Sequence, residues 1–301
     1  MQDNIVNVKE YIDYSKLQEY IKLLKEKYPF IKIGSAGKSI LGRDLTLIKL
    51  GTGPTKVFYI GTHHAMEWIT TLLLMKFVEN YCEDYVNNNR VFKRSITTLF
   101  NNNTIYILPM LNPDGVELHF HGLSEDNPLY ERLLRLNKGS QDFSNWQANA
   151  RGVDLNHNYN AKWHLARKKE IEYGITHPGP TRFGGEYPES EPETQSVCDF
   201  CRAVEPDITI AFHSQGREIF WDFDGYAPPR AYSIALMMSH LSGYKLSKPE
   251  DAASYGGFKD WFITEFNKPG FTIEVGKGKN PLPLTQFNSI YNDLKEILYI
   301  C

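Results

Sequence analysis

Short runs with the character of buried strands alternate with helical stretches along almost the whole chain, and this alternation restricts the fold more than any other feature. Residues 56–60 read as a strand, and residues 69–81 repeat apolar side chains at helical spacing. The same signals recur. Residues 31–34, 45–50, 104–110, 207–212 and 270–275 read as strands, while 14–28, 192–204, 231–242, 261–266 and 284–299 read as helices. Interleaving of this kind predicts an α/β fold with a parallel or mixed sheet covered on both faces. With no internal repeat and no linker, residues 1–301 are expected to form one domain.

Composition removes several classes of function. A formal charge of −3 without a long basic run leaves no footprint for nucleic acid or for a membrane surface. No stretch is long and apolar enough to span a bilayer, and residues 1–6 lack the pattern of a signal peptide, so a cytoplasmic location is expected. Four scattered cysteines do not make a disulfide framework, and the CxxC of Cys198 and Cys201 reads as one face of a helix. Residues 34–39 resemble a phosphate loop but lack its first glycine, since position 32 is Lys32. Residues 112–115, Asn-Pro-Asp-Gly, read as a turn, and 116–181 read as a long polar region of the kind that carries function.

Chemistry concentrates at strand ends. His64 and Glu67 follow the strand 56–60 three residues apart, so an imidazole and a carboxylate can enter one space. His213 directly follows the strand 207–212, and Glu274 interrupts the apolar run 270–275. In a wound α/β sheet the carboxyl ends of strands border one crevice, so these four residues can converge. Two histidines and a glutamate are the ligand set of hydrolytic zinc sites, with a position left for water. Glu274 then becomes the natural general base, because a carboxylate in such a run is costly to bury without a cation facing it. The plainer alternatives are a hydrogen-bonded core histidine at 213 and a Glu274 paired with Lys277.

The segments HHAMEW at 63–68, NPDG at 112–115, RGVDLNHNYN at 151–160, FHSQG at 212–216 and FTIEVG at 271–276 resemble, in this order, the zinc carboxypeptidase family. Residues 146–158, 173–194 and 255–262 are more specifically similar to its bacterial branch of γ-D-glutamyl-L-diamino acid peptidases. The resemblance implies a three-layer α/β/α fold around a mixed sheet of eight strands. It implies one zinc ion held by His64, Glu67 and His213, with Glu274 as base. It also implies that Asp154 accepts a hydrogen bond from His64 and that Asn156 helps hold the substrate's carboxylate.

Departures from the digestive members are informative. His157 stands where they carry the arginine that grips a C-terminal carboxylate, and Gln147 follows Trp146 where they carry an oxyanion-stabilising arginine, with Arg151 nearby as a substitute. Their mobile tyrosine has no clear counterpart, for Asp251 falls at its place and Tyr255 lies beyond. Loss of the guanidinium fork weakens the case for general C-terminal trimming. A pocket of Arg151, His157, Arg182, Arg217, Glu218 and Tyr255 is expected to read a charged peptide derived from peptidoglycan. Two other readings stay open: a conventional carboxypeptidase acting on L-peptides, and a zinc- or muropeptide-binding module without catalysis.

Overall fold

The computed structural model describes residues 4–248 and 255–300. In chain order come α1 (Tyr14–Lys27), β1 (Lys32–Lys38), β2 (Asp44–Gly51), β3 (Thr55–Gly61) and α2 (Ile69–Val86). A small hairpin, β4 (Arg90–Val91) and β5 (Arg94–Ser95), leads to α3 (Ile96–Asn102), β6 (Asn103–Leu108), α4 (Pro113–His121), α5 (Tyr130–Leu136) and α6 (Trp163–Glu172). The chain continues through α7 (Pro192–Val204), β7 (Ile208–Ser214), β8 (Glu218–Phe220), α8 (Pro229–Ser242), β9 (Lys245–Ser247), α9 (Phe258–Phe266), β10 (Gly270–Val275) and α10 (Phe287–Ile300).

Eight strands form one mixed sheet in the order β1-β2-β6-β3-β7-β10-β8-β9. Its middle, β6-β3-β7-β10, is parallel, while β2 joins β6 and β8 joins β10 in antiparallel pairing. Strand alternation sorts side chains to two faces. Tyr59, Phe212 and Ile273 belong to a core shared with Leu72 and Phe77 of α2, Met238 of α8 and Leu294 of α10. Phe58, Ile60 and Ala211 meet Val197 of α7 and Trp261 of α9 on the other side. Each fully buried leucine or phenylalanine of these layers contributes about 1.5–3 kcal/mol relative to exposure. The result is the three-layer α/β architecture expected above.

Two expectations need correcting. The Asn-Pro-Asp-Gly segment is a helix start rather than a free turn: Asn112 Oδ1 accepts the Gly115 N–H at 3.0 Å, and Pro113 occupies the first turn of α4, where its missing N–H costs nothing. The long polar region beyond it holds α5, α6 and a separate small core of Leu118, Leu133, Phe143, Trp146 and Ala148. Cys198 and Cys201 are buried on α7, where burial pushes both thiols up, in keeping with an ordinary helix face. Asp251 lies outside the described residues. Among those described, no helix is long and apolar enough to cross a membrane.

Candidate metal centre and crevice

At the end of β3 the backbone turns sharply through Thr62, whose φ of 55° is unusual for a β-branched residue. Side chains hold it there: Thr62 N–H donates to Thr70 Oγ1 at 2.9 Å, and the hydroxyls of Thr62 and Thr71 meet at 2.7 Å. A single 3-10 turn, Ala65–Glu67, then brings His64 Nδ1 to 2.9 Å from Glu67 Oε1. Asn112 clamps this loop from outside, donating to the carbonyls of His63, Gln147 and Ala148 at 3.1–3.2 Å. Gly115 has a steric reason at the same spot, since a Cβ there would sit 2.4 Å from the Ala148 carbonyl oxygen.

Strand pairing delivers the remaining groups. Glu274 of β10 pairs in register with His213 of β7, and alternation turns both away from the core that holds Phe212 and Ile273. His213 Nδ1 reaches Glu67 Oε2 at 3.0 Å. Buried His63 stacks on His213 with centroids 4.9 Å apart and takes Tyr159 as its partner, Nε2 to hydroxyl 3.1 Å. Burial, reinforced by the neighbouring His213 and His64, pushes His63 well below the usual imidazole range, so it stays neutral.

Donor atoms of His64, Glu67 and His213 thus lie within 4.8 Å of one another. The hydrogen bonding of His64 shows what they suit. Its Nδ1 faces Glu67 while its Nε2 lies 3.0 Å from Asp154 Oδ1. A neutral imidazole has only one N–H, so the two carboxylates are both satisfied only by the imidazolium or by a cation on Nδ1. With a divalent metal on Nδ1, the Nε2–H donates to Asp154 and both sides are satisfied, the arrangement that orients and strengthens a metal-bound histidine. Two imidazoles and a carboxylate fit zinc.

The carboxylates here are kept ionised by the histidines that face them. Burial works against every charge here, yet the facing His64 and His213 draw Glu67 down to about 2, and His64 with His157 holds Asp154 well below the carboxylate range. His64 is pushed well up, because the charges of Glu67 and Asp154 outweigh its burial. Glu274 moves the other way. Burial, with Glu67 and Glu218 adding to it against the opposing His64, raises its carboxyl well above the usual range.

The crevice in front of these residues is a cavity of about 710 Å³ that His64, Glu67, Asp154, His157, Arg182 and Glu274 help to line. It adjoins a second cavity of about 620 Å³ that shares Glu218, Phe220 and Glu274 and adds Asn156. His157 is held by Glu170, Nδ1 to Oε1 2.9 Å, and Asn156 Oδ1 accepts the Phe258 N–H at 3.1 Å. Three expected pocket residues are elsewhere. Arg151 lies 3.7 Å from Glu191 and is half-exposed, Arg217 pairs with Asp293 at 2.9 Å and stacks on Tyr244, and Tyr255 packs edge-on against Phe223. None of the three lines either cavity.

Asn280 and Glu170 had no local signal in the sequence, whereas Gln147 was marked by its place after Trp146. Asn280, in the loop after β10, exchanges hydrogen bonds with Ser214 at 2.5 and 2.8 Å and approaches Glu67 Oε1 at 3.4 Å. Glu170 is buried on α6, where it also accepts the Gly184 N–H at 3.0 Å. Gln147 lines the crevice with its carbonyl oxygen taken by Thr181 at 2.7 Å, which turns its amide nitrogen to other partners.

A sequence profile described as zinc carboxypeptidase matches residues 17–297, and the chain belongs to this family of metallopeptidases. It is 38% identical over 289 residues to gamma-D-glutamyl-L-diamino acid endopeptidase 1 of Lysinibacillus sphaericus, covering 96% of this chain and 72% of that one. It is 35% identical over 301 residues to the uncharacterised protein YqgT of Bacillus subtilis, covering 99% and 79%. The crystal structure of thrombin activatable fibrinolysis inhibitor superposes with a TM-score of 0.74 at 20% identity, covering 97% of this chain and 74% of that one, a likeness of fold. The protein is therefore a zinc metallopeptidase, a hydrolase of peptides.

Proposed function

We propose that this peptidase cleaves the amide between the γ-carboxyl of D-glutamate and a diamino acid in peptides derived from peptidoglycan. One observation carries the catalytic half of the reading: the donors of His64, Glu67 and His213 meet at one point, with Glu274 beside them on the same face of the sheet. The substrate half is supported by the 38% identical relative, whose name gives that bond.

His64, Glu67 and His213 would hold the zinc ion, which supplies a Lewis acid for the scissile carbonyl and makes bound water more acidic. Glu274 takes the proton of the attacking water and returns it to the leaving amine. Asp154 fixes the tautomer of His64. His157 offers a ring N–H to a substrate carboxylate, and Asp154 and Glu170 favour its charged form against its burial. Arg182, which lines the crevice while its backbone N–H donates to Asp154 at 2.9 Å, takes the place of Arg151 as the arginine available to the developing oxyanion. Asn156 borders the pocket for the leaving group.

The test is product identification. Zinc-loaded protein incubated with L-Ala-γ-D-Glu-meso-diaminopimelate should release L-Ala-D-Glu and free diaminopimelate, detected by mass spectrometry. Cleavage restricted to ordinary L-peptides at their C-terminus would replace this reading with that of a conventional carboxypeptidase.

A further inference from the structure

Asn280 stands beside the candidate metal centre with no part in the steps above. The loop that carries it leaves β10 through Gly276, where φ is 65° and a Cβ would sit 2.5 Å from Leu282 Cδ1. Side chains then anchor the loop. Gln286 accepts the Lys277 N–H at 3.0 Å and donates to the Lys277 carbonyl at 2.7 Å, and Gln215 Oε1 accepts the Gly278 N–H at 3.3 Å. Gly278, Lys279 and Asn280 form part of the wall of the catalytic crevice.

The direction of the Asn280 amide follows from its partners. The Ser214 carbonyl can only accept, so the atom 2.5 Å from it is the amide nitrogen, and Oδ1 accepts the Ser214 hydroxyl at 2.8 Å. That nitrogen carries a second N–H. It faces Glu67 Oε1 at 3.4 Å, an oxygen shared with His64 Nδ1 at 2.9 Å. Among the described residues, the Glu67 carboxylate meets His64, His213 and Asn280, and only Asn280 is not itself a candidate ligand. A carboxylate that holds a metal is fixed in turn by a hydrogen bond from outside the ligand set. Resting on the metal centre of the function proposed above, we infer that Asn280 is a positioning residue for zinc. Its amide holds the Glu67 carboxylate in place and ties it to Ser214 at the end of β7, next to His213. One side chain of the crevice wall therefore braces two of the three ligands.

The experiment compares the full chain as wild type, Asn280→Ala and Gln286→Ala. Zinc affinity is measured by competition with a chromophoric chelator, and the visible absorption bands are recorded after cobalt(II) substitution. Gln286→Ala removes both anchors of Lys277 and loosens the loop while the Asn280 amide stays. Asn280→Ala should weaken zinc binding by about tenfold or more and shift the cobalt bands. Gln286→Ala should lower the melting temperature of the metal-free protein and keep wild-type affinity and bands. The bands arise only from folded, metal-bound protein, so a partly unfolded sample does not distort their positions. Wild-type affinity and bands in Asn280→Ala overturn the inference, and so does an equal loss in Gln286→Ala, which would assign the effect to the loop as a whole. A wild-type protein that takes up neither zinc nor cobalt removes the metal centre itself, and the inference with it.

Discussion

Glu274 sits directly across the parallel pairing of β10 and β7 from His213, so the proposed base and a proposed metal ligand are held by backbone hydrogen bonds rather than by loops. That rigidity separates two functions that substitution can distinguish. Glu274→Gln should keep zinc at wild-type stoichiometry and lose about 10²- to 10⁴-fold in kcat. Metal analysis and single-turnover kinetics on the same sample check both. A variant with near wild-type turnover removes Glu274 from the base role.

Asp154 touches no metal donor except through His64, which it meets at 3.0 Å. Asp154→Asn should therefore weaken zinc binding by about 10- to 100-fold, measured by competition with a chelator, without changing the ligand set. Unaltered affinity would mean that His64 is oriented by something else.

Much of this arrangement was legible in the sequence, and for a specific reason. The strands carrying His213 and Glu274 are buried on both faces, so they read as unbroken apolar runs in which a polar residue is conspicuous. The missed helices α4, α5 and α6 do not pack chiefly on the sheet; Leu118 and Leu133 belong to a minor core of their own, too small to leave a long apolar stripe. Three-residue strands β8 and β9 offer no periodicity. Arg217 was misplaced because proximity in sequence does not fix direction: a φ of 56° and the carboxylate of Asp293 on α10 carry it out of the crevice. Asn280 meets Ser214 across 66 positions, a contact that only the folded chain creates.

The grip of His157 depends on its charge, and the sign of the pH effect follows. Burial lowers its pKa, but Asp154 and Glu170 outweigh that and raise it above the ordinary value of about 6.5. The imidazolium therefore persists to higher pH than in an ordinary histidine and is lost as pH rises through the raised pKa. KM should climb on the alkaline side, and His157→Gln should raise KM about tenfold at neutral pH and flatten that limb, with kcat changing less. A KM profile identical in the variant contradicts the assignment.

Stability should show a different titration. Burial beside Asp114 and Glu191 pushes Glu193 up to about 8. The folded chain then keeps a proton that the unfolded chain releases above about pH 4.3, so stability falls as pH rises from there to about 8, by an amount on the order of a few kcal/mol. Glu193→Gln should flatten that decline in denaturant midpoints measured at pH 5 and 8.5. Parallel profiles for the two proteins would show that Glu193 is not the titrating group.

Asn112 joins the His63 carbonyl of the catalytic loop and those of Gln147 and Ala148 to the start of α4: its two amide N–H groups are shared among these three oxygens, and its Oδ1 accepts the Gly115 N–H. Asn112→Ala should cost about 2–4 kcal/mol and loosen zinc binding with it, read from thermal unfolding with and without metal. Loss of stability with unaltered zinc affinity would confine the residue to capping.

The most direct measurement of the central claim is an anomalous difference map from crystals of the zinc-loaded protein, recorded at the zinc edge. One peak bounded by His64 Nδ1, the Glu67 carboxylate and His213 Nδ1, with Glu274 beside it and outside the ligand set, is the expected result. A peak elsewhere, or one that leaves out His213, contradicts the account.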